Sequence, residues 1–198
     1  MRRILLITIA AMVVELVTSG QGAVPSSAPA GADSTLPNKA PTGGNEGLAE
    51  DLRLSGKCDK AVPILRRLVE SRGFAISRYN LGKCLLTLSE AEADASKAAT
   101  MRKEAATMIV QAANAGLAQA EAEAVSVFLD GLGADKDPVQ AEKWALIYRH
   151  NGLRLALGLP GLSQDVSDRL DAALSDSMRT LAETQAKVWT PASPEPEY

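Results

Sequence analysis

The chain has 198 residues, 46% of them hydrophobic but only 4% aromatic, so its apolar content is mostly Ala, Leu and Val, the side chains of closely packed helices, and an all-α fold is expected. The formal charge is −3, and no stretch beyond the N-terminus is strongly basic, which argues against a nucleic-acid partner.

Residues 1–23 read as a secretory signal peptide. Met1-Arg2-Arg3 precedes an apolar run from Ile4 to Val17, broken only by Thr8 and Glu15, and small residues follow in Ser19-Gly20-Gln21-Gly22-Ala23. The run spans about 14 residues against the ~20 that a bilayer-crossing helix needs, so cleavage between Gly20 and Ala23 is expected, leaving no stable membrane span. A retained anchor is the alternative, because no clean Ala-x-Ala is present. After cleavage 19 basic residues face 23 acidic ones, and the expected location is periplasmic or secreted, in a Gram-negative-type bacterium.

Residues 24–46 are rich in Ala, Pro, Ser, Gly, Thr and Asn with few large apolar side chains, and should form a flexible linker. Residues 47–189 should form one helical domain, and residues 190–198, with three prolines, a disordered tail. Export places Cys58 and Cys84 in an oxidising compartment, where one disulfide is the sole possible connectivity; two buried thiols are the alternative.

Helical spacing recurs through the domain. Asp59 to Arg72 puts Val62, Leu65, Leu68 and Val69 on one stripe, and Ala75 to Ser89 carries Ile76, Leu81, Leu85 and Leu86. Glu92 to Ala115 holds Met101, Ala105, Met108, Ile109 and Ala112. Ala118 to Asp130 is followed by Gly131 and Gly133, which permit the chain to turn back. Asp137-Pro138-Val139-Gln140 has the layout of a capping box opening a helix to Asn151, with Val139, Trp144, Ile147 and Tyr148 inward. A last helix from Ser163 to Val188 is expected to pack through Val166, Leu170, Ala173, Leu174 and Leu181.

The helix pairs repeat. Ala105-x-x-Met108-x-x-x-Ala112-Ala113-x-x-Gly116 overlays Ala141-x-x-Trp144-x-x-x-Tyr148-Arg149-x-x-Gly152, and Ala61-x-x-Ile64-x-x-x-Leu68-Val69 fits the same frame. In these residues the chain resembles the Sel1-like repeats, a branch of the tetratricopeptide superfamily. The best-matching unit is 116–152, with Ala120, Phe128, Gly131, Gly133, Asp137, Ala141, Trp144 and Gly152 at the family's spacing. A second unit starts at Asn80-Leu81-Gly82-x-x-Leu85 and closes at Ala112 and Gly116, departing from the pattern around Glu90 to Thr100. The resemblance implies a right-handed solenoid of antiparallel helix pairs with a C-terminal capping helix. Ala61, Leu81, Gly82, Leu85, Ala105, Ala112, Gly116, Ala120, Phe128, Gly131, Gly133, Ala141, Trp144 and Gly152 then form the repeat core, small residues letting helices approach and Phe128 and Trp144 filling the space between pairs.

Catalytic residue types are sparse. His150 is the only histidine, best read as a surface residue complementing a helix C-terminus. Neither cysteine has a Cys or His at metal-ligand spacing, and Asp130, Asp135 and Asp137 lack the alternation and distal Glu of a calcium loop. No nucleophile or phosphate-loop motif occurs. No catalytic residue, metal or cofactor is therefore expected. Charged residues at Glu90 to Lys103 read as a solvated helix face.

The expected function is a non-catalytic scaffold or regulator for a protein or peptide partner in the cell envelope. An accessory module for cell-wall glycan remodelling is the second reading. The first helix of each pair lines the groove in tetratricopeptide-like stacks, and carrying those positions over points to Tyr79, Lys83, Gln119 and Ser126 as partner-binding residues.

Overall fold

The computed structural model describes residues 44–192. The signal-peptide reading, nearly all of the linker and the segment 193–198 lie outside the described residues. Among the described residues the protein is all-helical, with nine helices and no strand. These are α1 (Gly44–Leu54), α2 (Cys58–Ser71), α3 (Ala75–Ala91), α4 (Ala95–Asn114), α5 (Ala118–Asp130), α6 (Pro138–His150), α7 (Gly152–Ala156), α8 (Gln164–Ala173) and α9 (Asp176–Val188). Consecutive helices pack on one another from α1 through α6, the α3–α4 pair most extensively, and α9 closes onto α6.

Local chemistry sets the starts. Asp94 caps α4 by accepting from the amides of Ser96 (2.9 Å) and Lys97 (3.1 Å), and Asn151, Ser163 and Ser175 cap α7, α8 and α9. Asp137 accepts from the Gln140 amide at 3.0 Å with Pro138 in the first turn of α6. Only half of the expected capping box forms. The Gln140 side chain donates to Gln185 on α9 at 3.0 Å, and the Asp137 amide goes to the Phe128 carbonyl at 2.9 Å.

The apolar stripes meet in two buried clusters. One gathers Ala49, Cys58, Ala61, Leu65, Leu68, Leu81, Cys84, Leu85 and Ala105. The other gathers Ile109, Ala112, Ala120, Val125, Val127, Ala141, Trp144, Ile147 and Leu170, with Phe128 and Trp189 half-buried against it. Cys58 and Cys84 form a disulfide that joins α2 to α3, with Cα atoms 5.0 Å apart. Gly82 is where α3 meets α4 most closely, since a Cβ there would lie 2.7 Å from Ile109 Cγ1 and 3.0 Å from the Ala105 carbonyl oxygen.

Several expectations require correction. Helix α1 begins at Gly44, within the expected linker, because Ala49 is buried in the first cluster. The expected last helix is two, α8 and α9, broken where Leu174 turns extended (φ −111, ψ 129) and the Ser175 hydroxyl accepts from the Met178 amide. Leu181 is consequently 50% exposed, and Ala173 is exposed as well. Ile76 also faces outward. Gly152 is not a close-packing glycine: a Cβ built on it meets nothing within 4 Å. The expected tail is held at its start, where the Ala192 amide donates to the Asn114 carbonyl at 2.8 Å and Pro191 lies against Gly116.

Candidate functional site

The four residues singled out for partner binding lie on two helices. Tyr79 and Lys83 stand one turn apart on α3, and Gln119 and Ser126 share a face of α5 with Glu123 between them. The structure bridges these helices: Lys83 Nζ reaches Glu123 Oε2 at 2.9 Å. Lys83 is therefore already paired. All four residues are half-buried.

Tyr79 packs against the larger core cluster. Burial raises its phenol above the usual value, and the Glu123 carboxylate adds to this while Arg53 opposes it. The field of Tyr148 from α6 also reaches it. Arg53 on α1 holds Glu50 through two hydrogen bonds of 2.9 and 2.7 Å, lowering the Glu50 carboxyl below its ordinary range. The face thus alternates apolar ring and satisfied ion pair across α1, α3 and α5. Two buried oxygens at this level, Asn80 Oδ1 and Gln119 Oε1, lack a hydrogen-bond partner.

A second feature lies at the other end of the domain. A cavity of about 630 Å³ opens between the C-terminal ends of α6 and α9, with Leu146, Ile147, Ala186, Trp189 and Pro191 among its walls. His150, Glu183 and Lys187 supply its polar rim. His150 is exposed, with Nδ1 2.9 Å from the Leu146 carbonyl oxygen. Trp189 meets the buried Trp144 edge-to-face, the ring centroids 5.8 Å apart and the planes at 74°. Among the described residues no group of three or more His, Cys, Asp or Glu side chains is placed to hold a metal ion. Asp130 instead pairs with Arg169 of α8 at 2.6 Å, and Asp137 serves as a helix cap.

Sequence reasoning missed Glu121 and Asn151. Glu121 on α5 is fully buried, and both of its carboxylate oxygens accept from Asn151 Nδ2 at 2.9 Å. Burial pushes its carboxyl up to about 7, partly offset by the Asn151 hydrogen bond. A signal was present: Glu121 falls three residues before Ala124 and four before Val125, on the apolar stripe of the helix. Comparison of the chain with protein-family models, with curated proteins and with solved structures finds no match.

Proposed function

We propose that the protein is an exported Sel1-like repeat scaffold that binds a protein or peptide partner in the cell envelope across the α1, α3 and α5 face. One observation carries this reading. Tyr79 and the Lys83–Glu123 pair lie on two neighbouring helices, offering a ring and charge. An extended peptide supplies the matching groups, since its side chains stack on the ring or pair with the charges.

The resemblance to Sel1-like repeats is supported by the helix, two-glycine turn and capped helix formed over residues 116–152. The stacking of consecutive helices supports the solenoid reading. The disulfide suits an oxidising compartment, and among the described residues no helix is long and apolar enough to cross a membrane.

The test is capture from envelope extract by the protein and by a Tyr79→Ala, Lys83→Ala double variant. The variant is expected to lose most of its specific protein prey while keeping its far-ultraviolet circular dichroism. Unaltered capture would discard this face, and sedimentation with peptidoglycan in place of protein prey would favour the glycan-accessory reading.

A further inference from the structure

Three of the eight exposed large hydrophobic side chains among the described residues lie in one five-residue span: Leu153, Leu155 and Leu157, at 52%, 62% and 60% exposure. They occupy α7 and the residue that ends it. Local bonds fix this loop. Asn151 Oδ1 accepts from the Arg154 amide at 3.0 Å, the Leu157 amide donates to the Leu153 carbonyl at 2.9 Å, and the Leu159 amide returns to the Arg154 carbonyl at 3.0 Å. Gly158, with φ +64, makes the turn that allows this return. The buried Tyr148 of α6 clamps the far side, its hydroxyl donating to the Pro160 carbonyl at 2.6 Å, and Leu162 beyond it packs on the larger core cluster. The loop is thus anchored at both ends with three leucines held out, and apolar clusters exposed in this way mark contact sites.

Charge indicates what the loop meets. From Lys143 to Gln164 the chain carries Lys143, Arg149 and Arg154 and no acidic residue, in a protein whose formal charge is −3. Among the described residues no carboxylate lies within ion-pair distance of Arg149 or Arg154. Arg149 is exposed in the last turn of α6. The Arg154 guanidinium lies 5.0 Å from the centre of the Tyr148 ring and donates to the carbonyls of Arg149 and Pro160, which fixes its place and leaves its charge unanswered. The flanking acids are mostly engaged. Glu142 is buried, Asp165 pairs with Arg169 at 3.1 Å and Asp171 with Arg179 at 2.9 Å, while Asp168 accepts from Gln164. On α9, Glu183 shares the cavity rim with Lys187. An apolar tip beside uncompensated cations is complementary to an anionic lipid surface. A protein partner suits it less, because so short a loop presents far less than the roughly 800 Å² per side that a stable interface buries.

We propose that the loop 152–158 docks the domain peripherally on a phospholipid bilayer with anionic headgroups, Leu153, Leu155 and Leu157 entering the interface and Arg149 and Arg154 meeting the headgroup phosphates. Docking of this kind is reversible and weakens with salt. Each basic side chain near an anionic surface raises the docked population about fivefold, so the two together give on the order of 30-fold over a neutral bilayer. Docking is independent of whether the α1, α3 and α5 face binds a partner.

The test uses the full chain and phosphatidylcholine vesicles, with and without phosphatidylglycerol, whose acyl chains carry bromine as a quencher. The apolar run from Ile4 to Val17 can itself enter a bilayer, so the readout is local to the loop. It is the quenching of the indole introduced by Leu157→Trp, above the background that Trp144 and Trp189 give in the native chain. Strong extra quenching is expected on the anionic vesicles at low salt, with a docked population on the order of 30-fold above that on neutral ones. Arg149→Gln should reduce it about fivefold. Adding Leu153→Ser and Leu155→Ser should abolish it with an unchanged helical spectrum. Quenching no greater than the native background, or equal on neutral and anionic vesicles, would overturn the proposal. So would self-association in solution that the two serine substitutions remove, since a second copy would then cover the leucines. The Leu157→Trp signal decides the matter even if the serine variant fails to fold.

Discussion

The backbone carbonyl of Arg102 on α4 presses on Gly133: a Cβ built on this glycine would lie 2.0 Å from that oxygen. Gly133 also has φ +83, in the left-handed region. Two independent constraints therefore fall on one residue, which seats the α5–α6 turn on the middle of α4. Gly131 offers an internal comparison, because it is also left-handed (φ +74) but its nearest obstacle is the flexible Lys136 side chain at 3.0 Å. Gly133→Ala should cost at least about 2 kcal/mol and Gly131→Ala about 1 kcal/mol. Denaturant unfolding of both variants checks the order, and equal losses would mean that α4 does not support the turn.

The Cys58–Cys84 disulfide closes a sequence separation of 26 residues within the smaller core cluster. Cross-linking a loop of this length stabilises by roughly 3 kcal/mol in the chain-entropy account. The Cys58→Ser, Cys84→Ser double variant should lose at least that much, since two buried hydroxyls replace apolar sulfur. Thiol counting on the denatured native protein should find none, and two titratable thiols would refute the pairing.

Glu121 makes overall stability depend on pH in the direction opposite to that of an ion-paired carboxylate. Its folded-state value of about 7 lies above the ordinary 4.5, so its contribution is complete below about pH 4.5 and disappears as pH rises to 7. The gap corresponds to roughly 3 kcal/mol. Unfolding free energies measured from pH 4.5 to 8 should fall by an amount of this order, and Glu121→Gln should flatten that part of the profile. A variant profile parallel to the native one would remove Glu121 from the account.

Where one short segment carries its own instructions, the sequence sufficed. Asp137-Pro138 starts α6, and Gly131 ends α5 in a left-handed cap with φ 74. Segments held only by distant partners were not legible. Helix α1 reads as linker because its Gly44-Asn45-Glu46-Gly47 start is polar and only Ala49 is buried, against α2 and α3. The α8–α9 break hides because Leu174 and Ser175 fit an uninterrupted helical period, and the extended turn depends on α9 docking against α6. Of the candidate site, the pattern placed Tyr79 and Lys83 together on α3. It could not give the partnership of Lys83 with Glu123, nor that of Glu121 with Asn151, 30 residues apart.

Trp144 provides a separate test of the core. It is 1% exposed, it meets Trp189 in an edge-to-face pair, and Lys143 Nζ lies 4.4 Å from its centroid. Its indole Nε1 nevertheless has no hydrogen-bond partner, a buried donor carried at a cost. Truncation and shape-preserving replacement should therefore diverge. Trp144→Ala should lose about 3 to 5 kcal/mol through the cavity it leaves. Trp144→Phe keeps a ring in the same space and removes the orphaned donor, so it should lose less than about half as much. Guanidinium unfolding of the two variants, followed by circular dichroism, measures both numbers. Comparable losses would show that the indole N–H is satisfied after all, and negligible losses in both would place Trp144 outside the packed interior.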